Sequence, residues 1–196
     1  PSIITEPVEQ TYELGVIPHI RDIEGYAPDA TPRADSLRYD VEAAKASGAI
    51  VINTWHEPTW EGLAAKVRLL RACKRIVSQS FHGLVIAEAY RIPVLNFRYQ
   101  LGRQNGPLRI DLNEPCSTDP RVFEYYKGGS RSGYAMYTQR RDERTDWEAV
   151  IRAVDELWEP FEYDASALVE AFPLPLAYDP LAAHAQSVAH LEALRF

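Results

Sequence analysis

The chain has 196 residues, enough for one sizeable core, and its 46% hydrophobic and 25% charged content lies in the globular range and excludes a disordered or fibrous chain. A formal charge of -7 argues against the broad basic surface of a nucleic-acid binder, so any anionic ligand must be held by local groups. Cys73 and Cys116 are the two cysteines; they make no disulfide framework, show no zinc spacing to the histidines, and fit a reducing compartment.

In chain order, Tyr12 to Ile17 reads as a buried strand, stopped by Pro18-His19. Residues 26 to 36 form a loop rich in proline and aspartate, Ser36 caps a helix through about Ser47, and Gly48 closes it. Ala49 to Asn53 is a second strand. From Trp60, the positions Leu63, Ala64, Val67 and Leu70 follow helical spacing. Arg75 to Gln79 is a third strand, and a short apolar helix from Gly83 leads to a fourth at Ile92 to Phe97.

Arg98 to Pro120 reads as irregular, with glycines and prolines throughout. Asp119-Pro120 then caps a short helix containing Phe123, Tyr125 and Tyr126, ended by Gly128-Gly129. Thr145-Asp146-Trp147-Glu148 has capping-box form and opens an amphipathic helix to Pro160. Asp179-Pro180 opens a last helix carrying His184 and His190, whose spacing is poor for a shared metal. No apolar run reaches a membrane span, and no metal site is expected.

Strands alternating with helices predict a single α/β lobe over residues 1–196, Rossmann-like, with a parallel sheet covered by helices on both faces and a helical C-terminal tail over about 145–196. There is no G-x-G-x-x-G after a strand, no Walker loop and no G-x-S-x-G elbow. What remains is Ser78-Gln79-Ser80-Phe81-His82-Gly83, a strand-to-helix turn at the carboxyl edge of the sheet. Free amides of a helix start point there at whatever is bound, which places His82 over an anion cradle. His56-Glu57, just past the second strand, shares that edge.

Leu14-Gly15-Val16-Ile17-Pro18-His19, Ser78 to Ala89 with Ile92-Pro93, and Phe123-Glu124-Tyr125-Tyr126 occur in an order and spacing that resemble the motifs of the polysaccharide pyruvyl transferase family over about residues 1–130. The resemblance implies one lobe of a GT-B-like fold, the C-terminal, donor-binding one. It also implies transfer of an enolpyruvyl unit from phosphoenolpyruvate, a substrate and not a cofactor, onto a sugar of a cell-surface polysaccharide or its lipid-linked precursor. The expected products are a pyruvate ketal and phosphate, and the expected place is the cytoplasm, at the inner membrane face. The start at Pro1 suggests excision from something longer, the acceptor lobe being a missing N-terminal region or a partner chain.

Phosphoenolpyruvate carries a phosphate and a carboxylate on a small frame, so its site needs converging donors and little water. His82 is expected either to donate to the phosphate or bridging oxygen or to act as general acid to the enol carbon or leaving phosphate, with Glu57 a base for the acceptor hydroxyl and His19 a further group on the same rim. Ser80, Phe81 and Gly83 are expected to contact the donor, Gly83 because it has no side chain to block approach. Ser80 stands where family members often carry arginine, which leaves the phosphate clamp to Lys127, Arg131 or Arg103. The alternatives are a GT-B glycosyltransferase using a nucleotide sugar, with Glu88 toward the ribose, and a non-catalytic saccharide-binding lobe in which Trp55, Trp60, Tyr99 and Tyr134 stack on sugar rings.

Overall fold

A computed structural model describes residues 4, 6–19, 47–100, 104–116, 118–129, 131–140 and 143–160. Its strands are β1 (Leu14–Ile17), β2 (Ala49–Val51), β3 (Ile76–Ser78), β4 (Val94–Gln100), β5 (Gly106–Asp111) and β6 (Gly133–Arg140). Among the described residues the helices are α1 (Trp60–Arg71), α2 (Phe81–Ala89), α3 (Pro120–Gly128) and α4 (Trp147–Leu157). The strands form one six-stranded sheet in the order β2-β1-β3-β4-β6-β5. The expected helices at 36–47 and from Asp179, with His184 and His190, lie wholly or almost wholly outside the described residues, as does Arg103.

All four residues of β1 are buried, as are all three of β3, because a sheet covered on both faces needs strands that are apolar throughout. Alternation divides them between two cores. Ile17 and Ile76 pack with Leu70 of α1, Leu84 of α2 and Val122 of α3. Val16, Val77, Leu95 and Phe97 pack on the other face with Trp147, Val150 and Val154 of α4. Each such fully buried side chain contributes roughly 1.5–3 kcal/mol. Phe97 anchors the second core, stacked on Tyr137 at 5.7 Å and on Trp147 at 6.0 Å.

The helices begin where their caps place them. Thr59 accepts from the Gly62 amide at 3.0 Å, and Asp146 from the Ala149 amide at 3.0 Å. Gly48 has φ +74°, the left-handed conformation that a chain reversal before β2 requires.

The sheet is mixed, which corrects the expectation of an all-parallel one: β5 runs antiparallel to β6. The stretch read as irregular also carries the end of β4 and the whole of β5. Pro107 hid β5, yet a proline that cannot donate to a ladder is tolerated on an edge strand, and β5 is the edge. β6 escaped notice because the polar Thr138 and Gln139 are both buried in it, which erases a simple alternation. Thr138 is satisfied there by the carbonyls of Gln104 and Gly106 at 2.9 and 3.1 Å.

β1 lies between β2 and β3, and β4 follows on the far side of β3. The chain therefore leaves the order in opposite directions around the β1/β3 pair. In open α/β sheets the crevice at such a reversal, outside the carboxyl ends of the strands, is where ligands bind.

Candidate functional site

A cavity of about 300 Å³ opens above the carboxyl edge between α1 and α2. Its floor and walls are apolar, from Ile52, Leu63, Val67, Leu70 and Ile86. Its polar lining comes from Thr54 and His56 after β2, from Lys66 of α1, and from Ser80, His82 and Gly83 at the start of α2.

The turn into α2 is built by side chains that serve the backbone. The Ser80 amide donates to Ser78 Oγ at 3.1 Å, and Ser78 Oγ donates to the Ser80 carbonyl at 2.7 Å. Ser80 is the N-cap, its Oγ accepting from the Gly83 amide at 3.4 Å. The Phe81 and His82 amides precede the first intrahelical bond and meet no acceptor among the described residues. His82 itself is exposed at the mouth, its ring edge-on to Phe81 at 6.0 Å.

Gly83 does not serve the purpose expected of it. A Cβ on this residue would stand 2.7 Å from both Ile17 Cδ1 and Ser78 Oγ, so the missing side chain faces the sheet rather than a ligand. The glycine lets α2 sit close on β1 and β3, and this brings the helix start down to the cavity.

The other expected residues divide by position. His19 follows β1 by two residues, and its amide donates to Gln79 Oε1 at 2.7 Å; it does not line the cavity. Glu57 is exposed and contributes its carbonyl to the loop, accepting from Thr59 N at 2.7 Å and from His56 Nδ1 at 2.6 Å. That bond puts the proton of a neutral His56 on Nδ1 and leaves Nε2 to meet a ligand.

Lys127 and Arg131 are not brought to this edge. α3 starts there, with Arg121 over the Phe81 ring at 5.7 Å, and ends where β6 begins, at the opposite edge. Lys127 lies over the Phe123 ring, and Arg131 holds the Glu159 and Pro160 carbonyls at 2.5 and 2.6 Å.

Glu88 is buried and carries the partners that burial demands. Tyr126 Oη donates to it at 2.8 Å and Trp158 Nε1 at 3.4 Å, tying α2 to α3 and to the segment after α4. Burial, assisted by the Glu88 charge, pushes the Tyr125 hydroxyl up to about 12 and Tyr126 well above its usual value, so both stay neutral packing groups. Tyr134 is buried too, stacked on Tyr126 at 4.8 Å, and is not available to a sugar.

Lys66 is the cavity residue that the sequence reading passed over. It follows Leu63 by three and precedes Leu70 by four, so it sits within the apolar stripe of α1, and that anomaly was legible. No carboxylate pairs with it among the described residues.

Residues 4–100 match the family model described as Polysaccharide pyruvyl transferase. Over this segment the chain belongs to that family. No curated protein and no solved structure matches. Every lining residue of the cavity falls within the matched segment, whereas Lys127 and Arg131 fall beyond it. The cavity is thus built wholly by the part of the chain that matches the family. Among the described residues no cluster of three or more His, Cys, Asp or Glu could hold a metal, and no helix is long and apolar enough to cross a membrane.

Proposed function

We propose that the cavity between α1 and α2 binds phosphoenolpyruvate and that its enolpyruvyl unit passes to a saccharide of a cell-surface polymer. The observation that carries this reading is the lining: Lys66, His82 and the amides at the start of α2, with no carboxylate, in a chain of net charge -7. Such a pocket selects anions against the sign of the whole molecule. The family match supplies the pyruvyl group as cargo.

Phosphate oxygens fit over the Phe81 and His82 amides, where helix-start N–H groups and the helix dipole favour negative charge. The ammonium of Lys66 answers the second charge of the donor from the facing helix. The apolar walls thin the water between them and strengthen both interactions.

His82 gives a proton to the methylene carbon, which becomes a methyl group, and the electron-poor C2 takes the oxygen of one sugar hydroxyl. The C2–O bond to phosphate then breaks, and a second hydroxyl closes the ketal. The two hydroxyl protons are accounted for: one replaces the proton spent on the methyl carbon, the other leaves on phosphate. A ring exposed at the mouth can exchange its proton with solvent between turnovers. Glu57, next to His56 and exposed, takes the role of base toward the acceptor hydroxyls. His19, outside the cavity, has no donor contact in this scheme.

A nucleotide-sugar donor suits the site less well. At about 300 Å³ the cavity lies at the small end of ligand pockets, and it has no carboxylate for a ribose. An acceptor on a lipid-linked precursor would be met at the inner membrane face by peripheral contact.

Calorimetric titration of phosphoenolpyruvate into wild type, His82→Ala and Lys66→Met tests the donor site. Wild type binds, and loss of the Lys66 charge weakens binding at least about tenfold, the size expected for a hydrogen bond to a charged group. Absence of binding to wild type, or equal affinity in all three, rejects it.

A further inference from the structure

We infer that Trp60 is the platform on which a sugar ring of the acceptor stacks at the mouth of the cavity. This rests on the donor-site reading above and adds the place of the second substrate.

Trp55 and Trp60 are the large hydrophobics that remain exposed among the described residues, at 43% and 46%. Trp55 lies in the segment joining β2 to α1 and Trp60 is the first residue of α1, both on the carboxyl edge that carries the cavity. Their relation to the cavity differs. Thr54 and His56 line it while Trp55 between them does not. Trp60 stands three residues before Leu63 and seven before Val67, both of which line the cavity. It therefore continues the cavity-facing stripe of α1 by one turn, past the wall and into solvent.

The indole is held there by an ordered loop. The Trp55 amide donates to Asn53 Oδ1 at 2.8 Å, and Thr59 caps α1. The Glu57 carbonyl presses on Gly62 so closely that a Cβ would stand 2.6 Å from it. A half-exposed tryptophan at a helix start offers a broad apolar face with a polar N–H edge, the form of side chain that serves as a contact surface where one end is apolar and the other wet. A pyranose presents an apolar face of C–H groups and a rim of hydroxyls, which matches an exposed indole on the sheet edge that also carries His82 and Glu57. Stacked on Trp60, a terminal ring sets its hydroxyls over the cavity mouth, where C2 of the donor waits.

The test uses galacto- and gluco-oligosaccharide tetramers as probes, titrated by ligand-observed NMR into the full chain, with phosphoenolpyruvate binding measured in parallel by calorimetry. Trp60→Ala weakens binding of the preferred tetramer by about tenfold, Trp60→Phe retains most of it, and Trp55→Ala leaves it unchanged. Phosphoenolpyruvate affinity is the same in all three variants, which also shows that each is folded. Equal losses from Trp55→Ala and Trp60→Ala overturn the inference, as does a wild-type chain that binds phosphoenolpyruvate but neither tetramer. Tetramer binding that depends on Trp60 in a chain that ignores phosphoenolpyruvate leaves the platform standing and removes the donor reading alone.

Discussion

Gln79 reaches across the crevice at the sheet's reversal to take the His19 amide on its Oε1 at 2.7 Å. The bond joins the segment just past β1 to the residue that opens the α2 turn, at the point where the chain departs in two directions. Backbone pairing between the strands reaches this level too, with the Gln79 amide on the Ile17 carbonyl at 2.8 Å. The side-chain bond extends the ladder by one rung beyond it.

Gln79→Ala should therefore cost about 1 kcal/mol, the net value of a partly buried hydrogen bond, while Gln79→Glu keeps an acceptor in place and costs less. Urea denaturation of the two variants reads the difference. Equal losses would mean that the side chain acts through packing and not through this bond.

Gly83 and Gly128 make a paired test of what a missing side chain is for. Gly83→Ala forces a Cβ to 2.7 Å from Ile17 and Ser78, so α2 must lift from the sheet at a cost of about 1–3 kcal/mol. Gly128 ends α3 with nothing within 4 Å of an added Cβ, so Gly128→Ala should be neutral or stabilising by up to about 1 kcal/mol. Thermal unfolding of the pair decides it. A neutral Gly83→Ala would mean that the turn is freer than its contacts imply.

The sequence made the parallel part of the fold readable because buried strands and capped helices leave local signals: Leu14 to Ile17 is apolar throughout, and Asp146 precedes its helix by one residue. β5 and β6 gave no such signal. Their pairing is set by partners distant in the chain, and Pro107 and Gln139 look wrong for strands until their neighbours are known. The histidine over the helix start was legible from the polar turn, ending in His82-Gly83, between an apolar strand and an apolar helix. Lys66 was legible only as a charge within an apolar stripe. Which end of α3 faces the site was not legible at all, because helix direction depends on the crossover from β4 to β6, and that is why Lys127 and Arg131 were assigned to it.

The cysteines should differ sharply in reactivity. Burial pushes the Cys73 thiol up to about 12, and its Sγ donates to the Leu69 carbonyl at 3.4 Å, whereas Cys116 is exposed. Only a thiolate attacks, so at pH 8 the native chain should react at Cys116 alone and at both cysteines once unfolded. Mass spectrometry after brief alkylation reads this directly. Fast labelling of Cys73 in folded protein would show that the Tyr12–Cys73 bridge beside β1 opens readily.

Asp119 couples the start of α3 to pH. The bond from Arg121 is the largest influence on its carboxyl, with the Arg121 amide and the Arg98 charge adding to it, and together they hold it at about 2, below its usual 3.8. Arg98 Nη2 lies 2.9 Å away and Arg121 Nη2 2.8 Å. A depressed folded pKa means that the unfolded chain binds the proton more readily. The stabilisation is therefore complete above about pH 4 and lost as pH falls through about 2. Its size is roughly 1–2 kcal/mol, reduced from the full shift because the Arg121 partner is largely exposed and screened. Asp119→Asn should lower stability at pH 7 by about that amount and converge with wild type near pH 2. Denaturant midpoints for both chains across pH 2 to 7 test it, and a gap that stays constant over that range would place the origin of the loss in the helix cap alone.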